Sequence, residues 1–313
     1  MLMNFLLLFT GFVLLYFGAE GLVRGSSSLA SRLGMSALVI GLTIVAYGTS
    51  MPEMVVSVKT SLNGQGSIAI GNVVGSNIFN IAVILGITAL IHPLKVKLQI
   101  IKYDTPIMIG TTIIFLFFFA DSFISRLEGA IFFTGIVIYT AVNLIMAKKD
   151  PSQIGETDTG NAKLNSLAAE ISFIAGGMLL LVLGSKWLVD GAIGVAQHFG
   201  ISEAIIGLTI IAAGTSLPEL ATSVIAAIRK EPDIAIANII GSNIFNILSI
   251  VGTSALISPI DGTGISVIDS LVMLAVSLML LPLLRSGYNL GRIEGFCLLA
   301  GYIAYLAYLI LYI

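Results

Sequence analysis

The chain has 313 residues, of which 57% are hydrophobic and 10% are charged, and its mean hydropathy is +1.04. Soluble globular domains carry about 25% charged residues, so this composition excludes that class and predicts an integral membrane protein. A single cysteine, Cys297, excludes an internal disulfide, and the two histidines are far apart in the sequence, which argues against zinc, haem and iron–sulfur sites. We therefore expect no cofactor, no nucleic-acid partner and no obligatory protein partner; the expected surroundings are the lipid bilayer.

Ten apolar runs are long enough to cross a hydrocarbon core of about 30 Å, for which about 20 helical residues suffice. They lie at residues 2–22, 35–61, 67–91, 104–121, 127–146, 168–189, 201–228, 233–257, 265–285 and 293–312. The first run has no basic segment before it and no small-residue cleavage site, so we interpret it as a spanning helix rather than a removable signal. The sequence predicts an all-α polytopic membrane protein with ten transmembrane helices.

The two halves of the chain are copies of each other. Residues 34–94 align without a gap with 200–260, and 32 of these 61 positions are identical at a constant offset of 166. Because each half contributes five helices, an odd number, the second half must enter the membrane with inverted topology. We divide the chain into a first inverted repeat (1–146), a linker (147–166) and a second inverted repeat (167–313). Inverted repeats are typical of secondary transporters, with the site near the midplane between the repeats.

The distribution of basic residues predicts how the chain is oriented. If the loops alternate between faces, Arg126 is the only basic residue on one face, while Lys59 and Lys186 fall within predicted spans. The other face carries the remaining twelve basic residues: Arg24, Arg32, Lys95, Lys97, Lys102, Lys148, Lys149, Lys163, Arg229, Lys230, Arg285 and Arg292. Since cytoplasmic loops are rich in lysine and arginine, we expect the linker 147–166 to be cytoplasmic and both termini to be extracellular.

A motif that is unfavourable in a membrane helix occurs once in each half, as GTSMPE at 48–53 and GTSLPE at 214–219. Proline lacks an amide hydrogen and obstructs the carbonyl four residues earlier, so each copy should break its helix and free backbone oxygens. The expected helix breakers are Gly48 with Pro52 and Gly214 with Pro218. The other motif residues supply hydroxyls and a carboxylate: Thr49, Ser50 and Glu53 in the first copy, and Thr215, Ser216 and Glu219 in the second.

Such oxygen ligands, without nitrogen or sulfur, are those that hard cations such as Na⁺ and Ca²⁺ prefer. The alternative is that Pro52 and Pro218 only kink their helices. An ionisable residue in mid-span costs at least about 2.5–3.5 kcal/mol, however, and two of them at matched positions favour a functional site.

A second motif follows on the next predicted helix of each half, as GNVVGSNIFN at 71–80 and ANIIGSNIFN at 237–246. Ser76 and Asn80 are four residues apart and therefore share one helix face. We expect both, together with their counterparts Ser242 and Asn246, to contact the site. For the remaining amides we expect hydrogen bonds between helices; these are Asn72, Asn77, Asn238 and Asn243.

Inverted repeats that each carry G-T-S-x-P-E on one helix and G-S-N-x-F-N on the next resemble the paired repeats of the sodium/calcium exchangers, within the cation/Ca²⁺ exchanger superfamily. The short linker lacks the large cytoplasmic regulatory insert of eukaryotic members, so the chain is similar to prokaryotic-type members. The resemblance implies an antiporter that exchanges Na⁺ for Ca²⁺ by alternating access, with three Na⁺ per Ca²⁺, and not an enzyme.

By the same resemblance, Ca²⁺ would bind to Glu53 and Glu219 and to the backbone carbonyls of Thr49 and Thr215, and Na⁺ would share these ligands. One flanking Na⁺ site would use Ser50, Ser76 and the carbonyl of Ala46, and the other Ser216, Ser242 and the carbonyl of Ala212. Asn80 and Asn246 would line the middle.

Several alternatives stay open. A proton-driven Ca²⁺ exchanger is the nearest alternative because carboxylates can carry protons, although the threonine and serine hydroxyls favour Na⁺. K⁺-dependent exchangers resemble the chain closely but carry an aspartate where this sequence has Asn246, so we expect exchange independent of K⁺. A cation channel or a membrane enzyme is more distant, since no nucleophile–base pair or metal triad accompanies the glutamates.

Overall fold

The computed structural model describes residues 1–149, 164–200 and 212–312. The chain is helical because backbone polar groups inside a bilayer must bond to each other. The elements of the first half are α1 (Leu2–Leu33), α2 (Ala37–Thr49), α3 (Met51–Leu62), α4 (Gly66–Ile91), β1 (Leu94–Lys95), α5 (Ile100–Asp121), β2 (Phe123–Ile124) and α6 (Arg126–Lys149). Those of the second half are α7 (Leu167–His198), α8 (Ala212–Gly214), α9 (Leu217–Ile228), α10 (Pro232–Ile257), β3 (Ile260–Asp261), α11 (Val267–Arg285), β4 (Asn289–Leu290) and α12 (Arg292–Tyr312).

The all-α polytopic architecture is confirmed. Within the described ranges, eight helices are long and apolar enough to span a membrane, and α2 with α3 forms a ninth span bent by 47°. The shorter helix α9 corresponds to the end of the predicted span 201–228, whose first residues lie outside the described part of the chain. Most of the predicted linker 147–166 lies outside it as well.

Two spanning helices are longer than predicted. Helices α1 and α7 each have 32 residues, so Arg24 and Arg32 lie on α1 rather than in a loop. A helix of this length extends about 48 Å, more than the hydrocarbon thickness, and therefore tilts or projects from the membrane. Helix α1 ends at Gly34, whose φ of 64° is the left-handed conformation that glycine adopts readily at a helix end.

Glycines allow α1 and α7 to pack backbone against backbone. A Cβ atom at Gly18 would lie 2.8 Å from the amide nitrogen of Leu181, and one at Gly184 would lie 2.8 Å from that of Leu15. Small residues at such contacts are a common basis of helix association in membranes, where the hydrophobic effect does not drive helices together. The first helices of the two repeats therefore form one antiparallel pair.

Two short antiparallel sheets join the halves and show their symmetry. Leu94 of β1 pairs with Leu290 of β4, and Ile124 of β2 pairs with Ile260 of β3. The repeat offset of 166 converts Leu94 into Ile260 and Ile124 into Leu290, so it exchanges one sheet for the other. The halves are thus related by a pseudo-two-fold operation, as inverted repeats require.

The same operation interlocks the last helix of each half with the other half. A Cβ atom at Gly129 of α6 would lie 3.0 Å from the carbonyl oxygen of Gly252 in α10, and one at Gly86 of α4 would lie 3.0 Å from that of Gly295 in α12. Helices α4 and α10 occupy the centre, and the apolar stretch of α10 is buried along its whole length. This arrangement places the second motif of each half in the core.

Candidate cation site

The helix breaks occur where the prolines predict them. Ser50 separates α2 from α3 with φ −83° and ψ 7°, and Ser216 precedes α9 with φ −90° and ψ 7°. Pro52 and Pro218 then lie in the first turn of the helix that follows. Proline is tolerated there because the first amides of a helix have no intrahelical acceptor. The sequence prediction of two broken helices is confirmed.

The break leaves carbonyl oxygens that need other donors. The hydroxyl of Ser185 on α7 donates a hydrogen bond of 2.5 Å to the carbonyl of Gly214, four residues before Pro218. Ser185 was not among the predicted site residues, and the repeat gives no signal for it, because its counterpart at the offset of 166 is Ala19.

The two glutamates are buried in one site and are bonded across the repeats. Glu53 is 1% exposed and Glu219 is 0% exposed. The hydroxyl of Ser216 donates to Oε1 of Glu53 over 3.0 Å, and that of Ser50 donates to Oε1 of Glu219 over 2.7 Å. Each repeat therefore supplies the hydroxyl that contacts the other repeat's carboxylate.

Several buried oxygens of the site have no hydrogen-bond partner among the described residues. They are Oε2 of Glu53, Oε2 of Glu219, Oδ1 of Asn80, Oδ1 of Asn246 and Oγ1 of Thr215. Buried polar atoms without partners are rare and cost about 1–3 kcal/mol each, so a concentration of them indicates a ligand. The described residues contain no cluster of three or more histidine, cysteine, aspartate or glutamate side chains. Two carboxylates with neutral oxygens suit Na⁺ or Ca²⁺ better than a transition metal.

The resemblance implied ion sites that group Ser50 with Ser76 and Ser216 with Ser242; the ion ligands stay a prediction, and the serine contacts themselves cross between the repeats. Ser76 lies beside Ser216, with 3.3 Å between their hydroxyl oxygens. Ser242 donates to the carbonyl of Ala46 over 3.4 Å. Each serine group therefore combines both repeats.

Close packing between helices of different repeats explains these serine contacts. A Cβ atom at Gly241 would lie 2.7 Å from the carbonyl oxygen of Leu42 and 2.8 Å from the Cβ of Ala46, so α10 packs directly on α2 of the other half. The next residue, Ser242, is thereby brought to the Ala46 carbonyl. The hydroxyl of Thr49, 1% exposed, lies 3.3 Å from this carbonyl and 3.1 Å from Oδ1 of Asn238 on α10, and it can donate to either acceptor. Ala212, the counterpart of Ala46, is the first residue of α8.

Asparagines join α4 to α10. The amide of Asn80 donates to Oδ1 of Asn243, and that of Asn246 donates to Oδ1 of Asn77, both over 3.0 Å. Asn77 and Asn243 also donate to each other's backbone carbonyls over 3.4 Å. The predicted interhelical role of Asn77 and Asn243 is confirmed. Asn80 and Asn246 also begin π-helical turns, a feature that is frequent at functional sites.

The remaining two asparagines brace the broken helices. The amide of Asn72 donates to the backbone carbonyl of Glu53 over 3.2 Å and to the hydroxyl of Ser57 over 2.9 Å. The second copy repeats these contacts at 3.4 and 3.0 Å with Asn238, Glu219 and Ser223. Ser57 and Ser223 were not among the predicted site residues, although they are identical at the repeat offset of 166, which could have identified them.

The sequence pattern of the family described as "sodium/calcium exchanger protein" matches residues 3–145 and 170–311, which is most of both repeats. The chain belongs to the sodium/calcium exchanger family. This assignment agrees with the broken helices and with the oxygen-rich site between the repeats.

Relatives in the exchanger family match the chain over nearly its whole length. CaxA of Alkalimonas amylolytica is 41% identical over 314 residues, covering 97% of this chain and 98% of that protein. The sodium/calcium exchanger MaX1 of Methanosarcina acetivorans is 35% identical over 343 residues, covering 98% of each. A structure of the sodium-calcium exchanger NCX_Mj, soaked with zero Na⁺ and Ca²⁺, superimposes with a TM-score of 0.85 at 30% identity, covering 98% of this chain and 99% of that one. Like NCX_Mj, the chain has no large regulatory domain inserted between its repeats.

Proposed function

We propose that the protein is a secondary active antiporter that exchanges Na⁺ for Ca²⁺ across the cell membrane by alternating access. The observation that carries the proposal is the pair of buried carboxylates, Glu53 and Glu219. Each is bonded to a serine of the opposite repeat, and each has one oxygen to which no described residue donates a hydrogen bond. The names of MaX1 and NCX_Mj, both sodium/calcium exchangers, support the same function.

In this proposal the Ca²⁺ site consists of both carboxylates and the backbone carbonyls of Thr49 and Thr215. The Na⁺ ligands form two groups, which follow the contacts between serines: Ser76, Ser216 and the Ala212 carbonyl with Glu53, and Ser50, Ser242 and the Ala46 carbonyl with Glu219. Thr49 and Thr215 contribute to both groups, and Asn80 and Asn246 line the centre.

Charge explains why such a site would exchange ions rather than conduct them. Two carboxylates give a charge near −2, which one Ca²⁺ or two Na⁺ neutralise, so the two kinds of ion compete for the same oxygens. Without an ion, repulsion and desolvation of the carboxylates oppose closure of the site, which suppresses leak. Exchange of three Na⁺ for one Ca²⁺ moves one net charge, worth about 2.3 kcal/mol per 100 mV, so a negative interior would assist Ca²⁺ export.

Two finer features complete the proposal. Exchange is independent of K⁺, because Asn80 and Asn246 are neutral and an aspartate at either position would bring the site's charge to about −3 and favour an additional cation. The repeats 1–146 and 167–313 form the two domains, with the linker 147–166 in the cytoplasm and both termini outside, as the distribution of basic residues suggests.

Glu53→Gln and Glu219→Gln test the function directly. Each removes one of the two charges that offset Ca²⁺ desolvation, so Na⁺-gradient-driven uptake of radioactive Ca²⁺ into reconstituted vesicles should be abolished while the gel-filtration profile stays that of the unmodified protein. Glu294→Gln is a matched control, because Glu294 accepts a bond from Gly291 at the start of α12, where glutamine can accept it too. Normal uptake in either site variant would refute the proposal. Uptake driven equally well by a pH gradient without Na⁺ would favour the proton-driven alternative.

A further inference from the structure

A cavity of about 360 Å³ lies between α5 and α6, with Leu248 of α10 at its base. This volume falls within the range of about 300–1,000 Å³ that is typical of ligand sites. Its apolar walls include Ile107, Ile114, Ile131 and Ile138, each of which is also partly exposed on the outer surface of the helices. In a membrane protein this surface faces lipid, so the cavity is a groove open to the bilayer.

Most polar residues of the groove lie at one end. Gln99 immediately precedes α5 and Asp104 lies in its first turns, while Tyr139 and Asn143 lie in the last turns of α6, so all four are close to the same membrane face. Thr111, further along α5, also lines the groove, but its hydroxyl is bonded to the Met108 carbonyl. Ile114 is ten residues after Asp104 and lies about 15 Å further along α5, at a rise of 1.5 Å per residue. The groove therefore runs from polar near the membrane face to apolar towards the interior, the same order as in a phospholipid.

Asp104 has an unused acceptor at the polar end. The residue is 1% exposed, and its Oδ1 accepts a hydrogen bond of 3.1 Å from the hydroxyl of Tyr139. Its other carboxyl oxygen, Oδ2, is buried and has no hydrogen-bond partner among the described residues. A buried carboxylate oxygen is costly without a donor or a cation. Because Asp104 is a lining residue of the groove, this oxygen points to a donor that binds in the groove.

The polar residues of the groove are not a copy of residues in the second repeat. A similar tyrosine–aspartate contact occurs in the second half, where the hydroxyl of Tyr305 donates to Oδ1 of Asp269 over 2.7 Å. At the offset of 166, Tyr139 corresponds to Tyr305, but Asp104 corresponds to Ser270, one residue after Asp269. Gln99 corresponds to Ile265 and Asn143 to Leu309, so the two amides are also specific to the first half. None of these residues belongs to the cation site.

We propose that this groove binds a phospholipid with a primary ammonium headgroup, of the phosphatidylethanolamine class. The acyl chain lies along the isoleucines, and the ammonium group donates a hydrogen bond to Oδ2 of Asp104. Charge complementarity selects the headgroup: a primary ammonium carries hydrogens and donates to the carboxylate, whereas the quaternary ammonium of phosphatidylcholine has none to donate.

The test is a lipid titration of the purified full-length protein in detergent, read as the shift in its thermal unfolding midpoint. Dioctanoyl phosphatidylethanolamine is compared with dioctanoyl phosphatidylcholine. We expect about tenfold tighter apparent binding of the ethanolamine lipid, the equivalent of one hydrogen bond to a charged group. Asp104→Asn should abolish this preference, and Asp269→Asn, which changes the similar tyrosine–aspartate contact in the other half, should retain it.

Ile138→Trp keeps the proposal testable if Asp104→Asn fails to fold. It fills the groove from the lipid side without changing the carboxylate, and it should remove the stabilisation by the ethanolamine lipid. Equal binding of both lipids to the unmodified protein would overturn the proposal, as would a preference that persists in Asp104→Asn or in Ile138→Trp. Stabilisation by KCl that is lost in Asp104→Asn would also overturn it, because an inorganic cation would then be the occupant.

Discussion

Replacing Ser76 and Ser216 by alanine, singly and together, tests whether the Na⁺ ligands are grouped across the repeats. Ser216 donates to Oε1 of Glu53 over 3.0 Å and lies 3.3 Å from the hydroxyl of Ser76. A hydrogen bond to a charged group contributes about 1.5–3 kcal/mol, so Ser216→Ala should raise the Na⁺ concentration for half-maximal exchange about tenfold or more. The Ca²⁺ dependence should change less, because the carboxylates are the main proposed Ca²⁺ ligands.

The double variant distinguishes the structural grouping from the one that the sequence suggested. Residues in contact show interaction energies of about 0.5–3 kcal/mol, so the effect of Ser76→Ala with Ser216→Ala should be at least about twofold smaller than the product of the single effects. Ser50 contacts Glu219 instead, over 2.7 Å, so the effects of Ser50→Ala and Ser76→Ala should multiply.

The assay is the Na⁺ dependence of Ca²⁺ flux in reconstituted vesicles, with the membrane potential clamped and the amount of protein matched. Both double variants carry two serine-to-alanine changes in the same site, so each controls for general damage to the other. The cross-repeat grouping would be refuted if the two single effects on Na⁺ dependence multiply for Ser76 with Ser216 but not for Ser50 with Ser76. That result would favour the grouping within each repeat.

Three further predictions concern topology, K⁺ and helix packing. A cysteine introduced into the linker 147–166, in a Cys297→Ser background, should resist an impermeant thiol reagent outside intact cells; rapid external labelling would invert the orientation. Ca²⁺ flux should persist when an inert organic cation replaces K⁺, and Asn246→Asp should introduce a dependence on an additional cation or on pH. A loss of flux without K⁺ in the unmodified protein would show that exchange depends on K⁺. Gly184→Leu should lower the thermal unfolding midpoint far more than Gly176→Leu. The reason is that a Cβ at Gly184 would lie 2.8 Å from the α1 backbone, whereas one at Gly176 meets no atom within 4 Å. Equal shifts of the midpoint would argue against close packing of α1 on α7.

Much of the architecture follows from local properties of the sequence. Apolar length identifies the spans, and internal identity at an offset of 166 with five spans per half requires inversion. Proline chemistry predicts the breaks at Ser50 and Ser216, and the cost of a mid-span carboxylate singles out Glu53 and Glu219. All of these inferences rest on one residue or one segment, and they need no knowledge of which helices are neighbours.

Only the tertiary structure decides which of these residues meet. The repeat alignment reports only which positions are equivalent, and it was the family resemblance that placed Ser50 and Ser76 together. In the structure the pseudo-two-fold operation packs α10 on α2 and brings Ser242 to the Ala46 carbonyl. Ser185 has a hydroxyl that its counterpart Ala19 lacks, so its bond to Gly214 could not follow from the duplication. Such pairings depend on contacts between helices that are distant in sequence, and side-chain packing at those contacts determines them. Hydropathy and repeat identity contain no information about the distance between one helix and another.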